Sequence, residues 1–333
     1  MTKPHLNLDE FPTLANSRVY SLELIGHLER AIASRSHTLT PLLCVAAGGS
    51  LGRLEARLGS DLDSIMLQAP GDWAPRACDE VASTLFSCAA ECGLKAPKPW
   101  GIYRTPTKPE ALCAAGGFGN LDEAPAVFGT RIQLLLDARP LYGHTSFKQV
   151  RREVLGWYAA PATFAIDDRW AYLRRDLVRY ANSYTNWQLF KLERSVDDSW
   201  LLRQAKLRSS RYLTWLGLWL VLESLDQILD PAPAVIDALF DLTPLERIAN
   251  TMSLAAPTLF RSLLVNYERV MTIFAEPEAR QELLQRGPER APSNARGVSK
   301  VFDSILVATD NMRNAVGQFM TLSSRRTLAN YWL

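Results

Sequence analysis

Gly48-Gly49-Ser50-Leu51-Gly52-Arg53-Leu54-Glu55, four further residues, then Ser60-Asp61-Leu62-Asp63 is the stretch on which the reading of this chain turns. The apolar run Pro41 to Ala47 before it reads as a buried strand ending in a glycine pair. Glycine permits a tight turn and lets the backbone come close to a ligand. Ser50 then opens a short helix, Leu51 to Leu58, whose first N–H groups lack partners within the helix and suit phosphate oxygens. Asp61 to Gln68 alternates in part and reads as a returning strand. Residues two apart on a strand face one side, so Asp61 and Asp63 share a face and Leu62 turns to the core. Carboxylates this close repel unless one is protonated or a cation lies between them. Mg²⁺ favours oxygen ligands and is commonly held by one or two carboxylates together with substrate phosphates. Taken singly these residues are a helix-capping serine and two surface aspartates. In combination at this spacing they predict a metal–triphosphate site.

Outward from that stretch, 333 residues suit two domains with room for a sizeable core. Apolar residues at 47% and charged residues at 22% exclude a disordered tail, a collagen-like chain and a disulfide mini-scaffold. A net charge of +2 argues against a strongly basic nucleic-acid binder. Met1 to Phe11 has no apolar core of signal-peptide length. The most apolar run, Tyr212 to Leu222, falls short of the ~20 residues of a membrane span and reads as a central bundle helix. No membrane partner is expected. The five cysteines (Cys44, Cys78, Cys88, Cys92, Cys113) read as reduced and structural in a cytoplasmic protein.

Residues 1–145 mix helix and strand signals. Helical spacing marks Val19 to Ser34, and Pro75 opens an amphipathic helix to Cys92. Lys95 to Pro109 is mostly loop, with a strand at Gly101 to Arg104, and Ile132 to Leu136 reads as another buried strand. After His144 the pattern is almost continuously helical. Thr243-Pro244-Leu245-Glu246 supplies an N-cap, a first-turn proline and a capping-box glutamate. Gly287 to Gly297 reads as a linker and Val298 to Ser323 as the last long helix. The expected architecture is an α+β lobe over 1–145, a mixed sheet with flanking helices, followed by an all-α bundle over 146–333. The first part carries 13 basic and 15 acidic residues, the second 24 and 20. Within 169–211 there are 10 basic residues against 4 acidic, either a solvated bundle face or a positive wall for a polyanion.

The Gly-Ser turn, short helix and Asp-x-Asp resemble the signature of the nucleotidyltransferase superfamily that includes DNA polymerase beta. The longer form Gly-Gly-Ser-x-Gly-Arg-x-Glu, four residues, Ser-Asp-x-Asp is most similar to the uridylyltransferase of bacterial nitrogen signalling. It is equally similar to the nucleotidyltransferase group found beside CBS domains. Leu134-Leu135-Leu136-Asp137-Ala138-Arg139-Pro140-Leu141-Tyr142-Gly143 resembles that family's Asp-x-Arg-x-x-x-Gly strand end, so Asp137 matches its third carboxylate. Weaker similarities lie in Cys113 to Asn120, a glycine-containing loop, and in Arg203 to Arg211, a basic helix. The specific motifs occupy about 30 residues, and the comparison spans roughly 20–215. The chain lacks the His-Asp dipeptide of the uridylyltransferase's hydrolase domain, and no CBS or sensor domain is expected within these 333 residues.

The resemblance implies transfer of a nucleoside monophosphate from a triphosphate to a hydroxyl of a protein, RNA end or small molecule, with Mg²⁺ or Mn²⁺ as cofactor. It implies Asp61, Asp63 and Asp137 as catalytic and metal-binding residues. It implies Gly48, Gly49, Ser50, Arg53, Ser60, Arg139 and Lys206 at the nucleotide. Arg53 either pairs with Glu55 or Asp61 to order the turn or faces the phosphates. Arg139 either neutralises charge near Asp137 or makes a structural ion pair. Lys206 and Arg208 either reach the triphosphate or lie on a solvated face. His144 is a base or, more simply, a loop histidine. Trp157, Trp170, Trp187, Trp200, Trp215 and Trp219 are core, unless one stacks a nucleobase. A module that binds nucleotide without catalysis, and an oligonucleotide synthase or cyclase on the same scaffold, are the competing readings.

Overall fold

The computed structural model describes residues 6–96, 102–117, 120, 122–159, 169–194, 199–228, 230–285, 297 and 299–322. The chain runs through α1 (Pro12–Ala33), a 3-10 turn, β1 (Leu42–Ala47), α2 (Gly49–Gly52), β2 (Ser64–Gln68), α3 (Pro75–Glu91), α4 (Pro109–Leu112) and α5 (Pro125–Leu136). It continues with β3 (Arg139–Tyr142), α6 (His144–Tyr158), α7 (Ala171–Arg194), α8 (Trp200–Lys206), a π-helical turn (Leu207–Arg211) and α9 (Tyr212–Asp226). It ends with α10 (Pro233–Phe240), α11 (Pro244–Ala255), α12 (Pro257–Ala275), α13 (Pro277–Gln285) and α14 (Lys300–Leu322). The protein thus combines a small α+β element with a helical region. Two compact units form, one of residues 17–177 with 224–244, the other of 1–16, 178–223 and 245–333. The expected junction at 145/146 falls inside the first.

In the first unit the strand order is β2-β1-β3, and both neighbours run antiparallel to β1. The expected mixed sheet is therefore corrected: parallel pairing among the described residues is confined to two isolated bridges, Asp61 with Lys95 and Leu67 with Thr107. Leu42 and Val45 of β1, Met66 of β2 and Leu141 of β3 join Leu24, Leu28 and Ile32 of α1 and Val81, Leu85 and Ala89 of α3 in one apolar cluster. The hydrophobic effect of this burial fixes the sheet between its helices.

Three other expectations give way. Ile132 to Leu136 is not a strand but the end of α5, which starts on Pro125 and is buried continuously from Gly129. A wholly buried run has no polar face, so periodicity cannot tell helix from strand. The helix expected over Leu51 to Leu58 stops at Gly52, because Leu54 adopts a left-handed backbone with φ 60°. Such a conformation in a non-glycine residue costs about 1–2 kcal/mol and cannot continue a helix. Ile102 to Arg104 form a turn, not a strand. The expected linker lies outside the described residues apart from Gly297, as do residues 118 and 119 of the glycine-containing loop.

α5 is held by a buried cation. Arg131 donates from Nε to the Tyr158 hydroxyl (2.8 Å) and from Nη1 to the Leu112 carbonyl (3.1 Å), and it pairs with Glu123. Asp176 accepts from Tyr158 at 2.6 Å, and Trp157 lies under the guanidinium. α4, α5, α6 and α7 are thereby tied together. A second network binds α6 to α10, where Asp241 accepts from Lys148 (2.6 Å) and Arg151 (2.8 Å).

The second unit is helical. α12 packs along α14, each burying an apolar stripe that includes Leu263, Tyr267 and Val270 on one and Ile305, Met312 and Phe319 on the other. Glu268 accepts from the N–H groups of Thr13 (2.7 Å) and Leu14 (3.0 Å), satisfying donors at the start of α1. α11 begins at Pro244 with Glu246 in its first turn, as its capping sequence predicts.

Arg131→Met strands two acids in the interior, and breaking such a pair is expected to cost about 3–5 kcal/mol; urea unfolding would register it. Burial pushes the Asp241 carboxyl up, but hydrogen bonds from Lys148 and Arg151 outweigh it and hold its pKa below the ordinary value. A carboxylate depressed by folding stabilises above its unfolded pKa, and the contribution disappears as pH falls through the folded value. Asp241→Asn should therefore flatten the fall in melting temperature below about pH 4; an unchanged slope in thermal melts would speak against the pairing.

Candidate functional site

The sheet register builds the site. Ala47, the last residue of β1, has Ser64 of β2 and Arg139 of β3 as its Cα partners. Because both neighbours are antiparallel, their first residues lie level with the end of β1. Gly48 thus leaves the sheet between the segment entering β2, which carries Asp63, and the segment entering β3, which carries Asp137. The Gly48 N–H donates to the Asp63 carbonyl at 2.7 Å. A Cβ on Gly48 would lie 3.4 Å from Asp137 Oδ1 and 3.3 Å from Gln133 Oε1. Gly49 has φ +63°, and a Cβ there would lie 2.0 Å from Asp63 Oδ2. The glycine pair therefore sits against the Asp63 carboxylate on one side and the Asp137 carboxylate on the other.

Gly52 brings the short helix against the third segment. A Cβ on it would meet the Asp137 carbonyl at 2.1 Å and that of Ala47 at 2.6 Å, so only glycine allows this approach. The approach carries Arg53 to Asp137. Its Nη1 donates to Asp137 Oδ2 at 2.8 Å, and its Nε to Glu55 Oε2 at 2.7 Å. The side chains of Arg53, Glu55 and Asp137 are 6%, 10% and 0% exposed. Asp137 Oδ1 is buried and accepts no hydrogen bond among the described residues. Ser60 pins the loop by accepting from the Arg57 N–H (3.0 Å), and the Ser50 hydroxyl reaches the Ser60 hydroxyl at 3.5 Å.

The other expected residues are dispersed. Asp61 is exposed and precedes β2, in the bridge with Lys95, while Leu62 is buried and Asp63 half-buried. The alternation predicted for this segment holds, although β2 itself starts at Ser64. Asp137 follows a helix rather than ending a strand. Among the described residues no three His, Cys, Asp or Glu side chains are grouped to hold a metal ion. Arg139 is half-buried at the start of β3. Lys206 is exposed in the last turn of α8, in the helical unit. Arg208 donates to Asp310 at 2.7 Å within that unit. His144 lies 3.5 Å from the Glu29 carboxylate. Trp170, Trp200, Trp215 and Trp219 are core, and Trp187 is exposed.

Gln133 was not expected at the site. Its position four residues before Asp137 shares a face with it on a helix and on a strand alike, so the spacing was visible in either reading but no motif marks it.

No protein-family model matches the chain, and no curated protein matches it. The chemistry of the site therefore rests on its own geometry. Among the described residues no helix is long and apolar enough to cross a membrane.

One candidate ligand atom for a divalent cation is present, although no group of three ligating side chains is assembled among the described residues. Asp137 Oδ1 is a buried carboxylate oxygen with no hydrogen-bond partner among them, and a Cβ on Gly48 would lie 3.4 Å from it. A buried unpaired oxygen of this kind is costly unless a cation or donor meets it. Gly49→Ala must displace the Asp63 carboxylate and strain a positive φ; a loss of about 1–3 kcal/mol is expected in urea unfolding, and wild-type stability would refute this packing.

Proposed function

We propose that the chain is a metal-dependent nucleotidyltransferase whose first unit carries an α+β catalytic lobe of the polymerase-beta type. The observation that carries this reading is the pairing of Asp137 Oδ1, buried and unpartnered, with the glycine turn on whose other side stands Asp63. The sequence signature and this juxtaposition support each other, since the motif acids come from segments 74 residues apart in numbering, 63 and 137. In functional terms residues 1–145 would act on the nucleotide and the helical 146–333 would present the acceptor.

In the proposed reaction the acceptor hydroxyl oxygen bonds to the α-phosphorus. The bond from that phosphorus to its bridging oxygen breaks, pyrophosphate leaves with the electron pair, and the hydroxyl proton passes to solvent. Asp61, Asp63 and Asp137 would hold Mg²⁺ or Mn²⁺, which neutralises phosphate charge and lowers the pKa of the attacking hydroxyl. The N–H groups and hydroxyl of Gly49 and Ser50 would orient the terminal phosphates, with Gly48 and Ser60 shaping the turn. Arg139, at the mouth of the sheet, would add positive charge. Arg53 acts on Asp137 and Glu55, so its place is behind the acids.

A second reading has its own support. Asp61 stands exposed, and no group of three metal-ligating side chains is assembled among the described residues, which suits a module that binds nucleotide without transferring it. Incubation with each labelled triphosphate, Mg²⁺ or Mn²⁺ and cell lysate separates the two. Label entering protein, RNA or a small solute supports the transferase and names the acceptor class. Tight triphosphate binding with no transfer supports the module. Asp61→Ala with Asp63→Ala is expected to abolish transfer while circular dichroism stays native; transfer that survives the double change refutes the metal-site assignment.

A further inference from the structure

The reading of the glycine turn as a metal site leaves Arg53 and Glu55 unexplained, and resting on that reading we propose that Arg53, anchored by Glu55, is a positioning residue that fixes the Asp137 carboxylate for the metal. Three observations converge. Arg53 divides its guanidinium, with Nε on Glu55 and Nη1 on Asp137 Oδ2. That contact occupies one oxygen of Asp137 and leaves the other, Oδ1, buried, without a hydrogen bond and 3.4 Å from where a Cβ of Gly48 would stand. Gly52 has no side chain to hold α2 away from the Asp137 backbone, and so Arg53 reaches it.

The charges explain why an arginine is used. Glu55, Arg53 and Asp137 together carry one net negative charge in a region with almost no solvent exposure. The guanidinium bonds both carboxylates and so offsets their mutual repulsion. A planar fork can hold two carboxylates in fixed directions, which a lysine ammonium, a point charge on a flexible stem, cannot. The arrangement parallels the way partners behind a metal ligand set its orientation, where their loss typically costs 10–100-fold in metal affinity.

The test is Mn²⁺ binding by the full chain, followed by the loss of the free-ion electron paramagnetic resonance signal at a temperature where every variant is folded. Arg53→Lys keeps the charge and loses the fork; its Mn²⁺ dissociation constant is expected to rise about tenfold. Glu55→Gln keeps an acceptor for Nε, and its constant should stay within about twofold of wild type. A purely structural role would lower the melting temperature of Arg53→Lys and leave its Mn²⁺ affinity unchanged, and that result overturns the inference while sparing the metal site. Failure of the wild-type chain to bind Mn²⁺ overturns the metal site itself, and the inference with it.

Discussion

One constraint governs the site: β1 lies between two antiparallel neighbours. Because Ala47 is level with Ser64 and Arg139, three distant segments must reach the same end of the sheet together. Ladder hydrogen bonds hold that coincidence to the precision of strand pairing. A shift of one residue in either pairing would turn side chains to the opposite face and separate Asp63 from the glycine pair. The apolar cluster on α1 and α3 resists such a shift, since it would expose Val45 or Met66.

The helix before β3 completes the arrangement. α5 ends where Asp137 begins, and the Arg131 network sets the height of α5 through Tyr158, Leu112 and Glu123. Burying so much charge does little for net stability, because desolvation offsets most of the Coulomb attraction. What it supplies is a single geometry for a helix whose apolar surface could slide. The left-handed Leu54 plays a comparable part on the other side. It ends α2 after one turn and sends the chain back so that Arg53 and Glu55 face each other.

Much of this was legible in the sequence. The glycine pair, β1, the buried Leu62 between outward acids and the change to all-helix after His144 each follow from local signals. So does the proline-led start of α3. What could not be read was hidden for definable reasons. Residues 132–136 are four apolar residues and Gln133, all buried, and so short a run does not report a helical period. Leu54 gives no local sign of a positive φ, because leucine rarely adopts one. The partner of Arg53 was open between nearby acids, and its second partner lies 84 residues away. The acids at 61 and 63 were placed in a strand that begins only at Ser64, and this leaves Asp61 more exposed than a strand residue beside a core would be.

The unit that carries the sheet is not contiguous: residues 224–244 belong to it, after an excursion through 178–223. Those late residues supply Asp226, which accepts from Arg174 at 2.6 Å, and Asp241, which accepts from Arg151. Both arginines are almost wholly buried. On a ribosome, then, the segment holding the glycine turn emerges long before the carboxylates that neutralise its neighbouring helices. Until residue 241 has left the exit tunnel, α6 and α7 carry two guanidiniums without these partners, so translation order itself delays completion of the lobe.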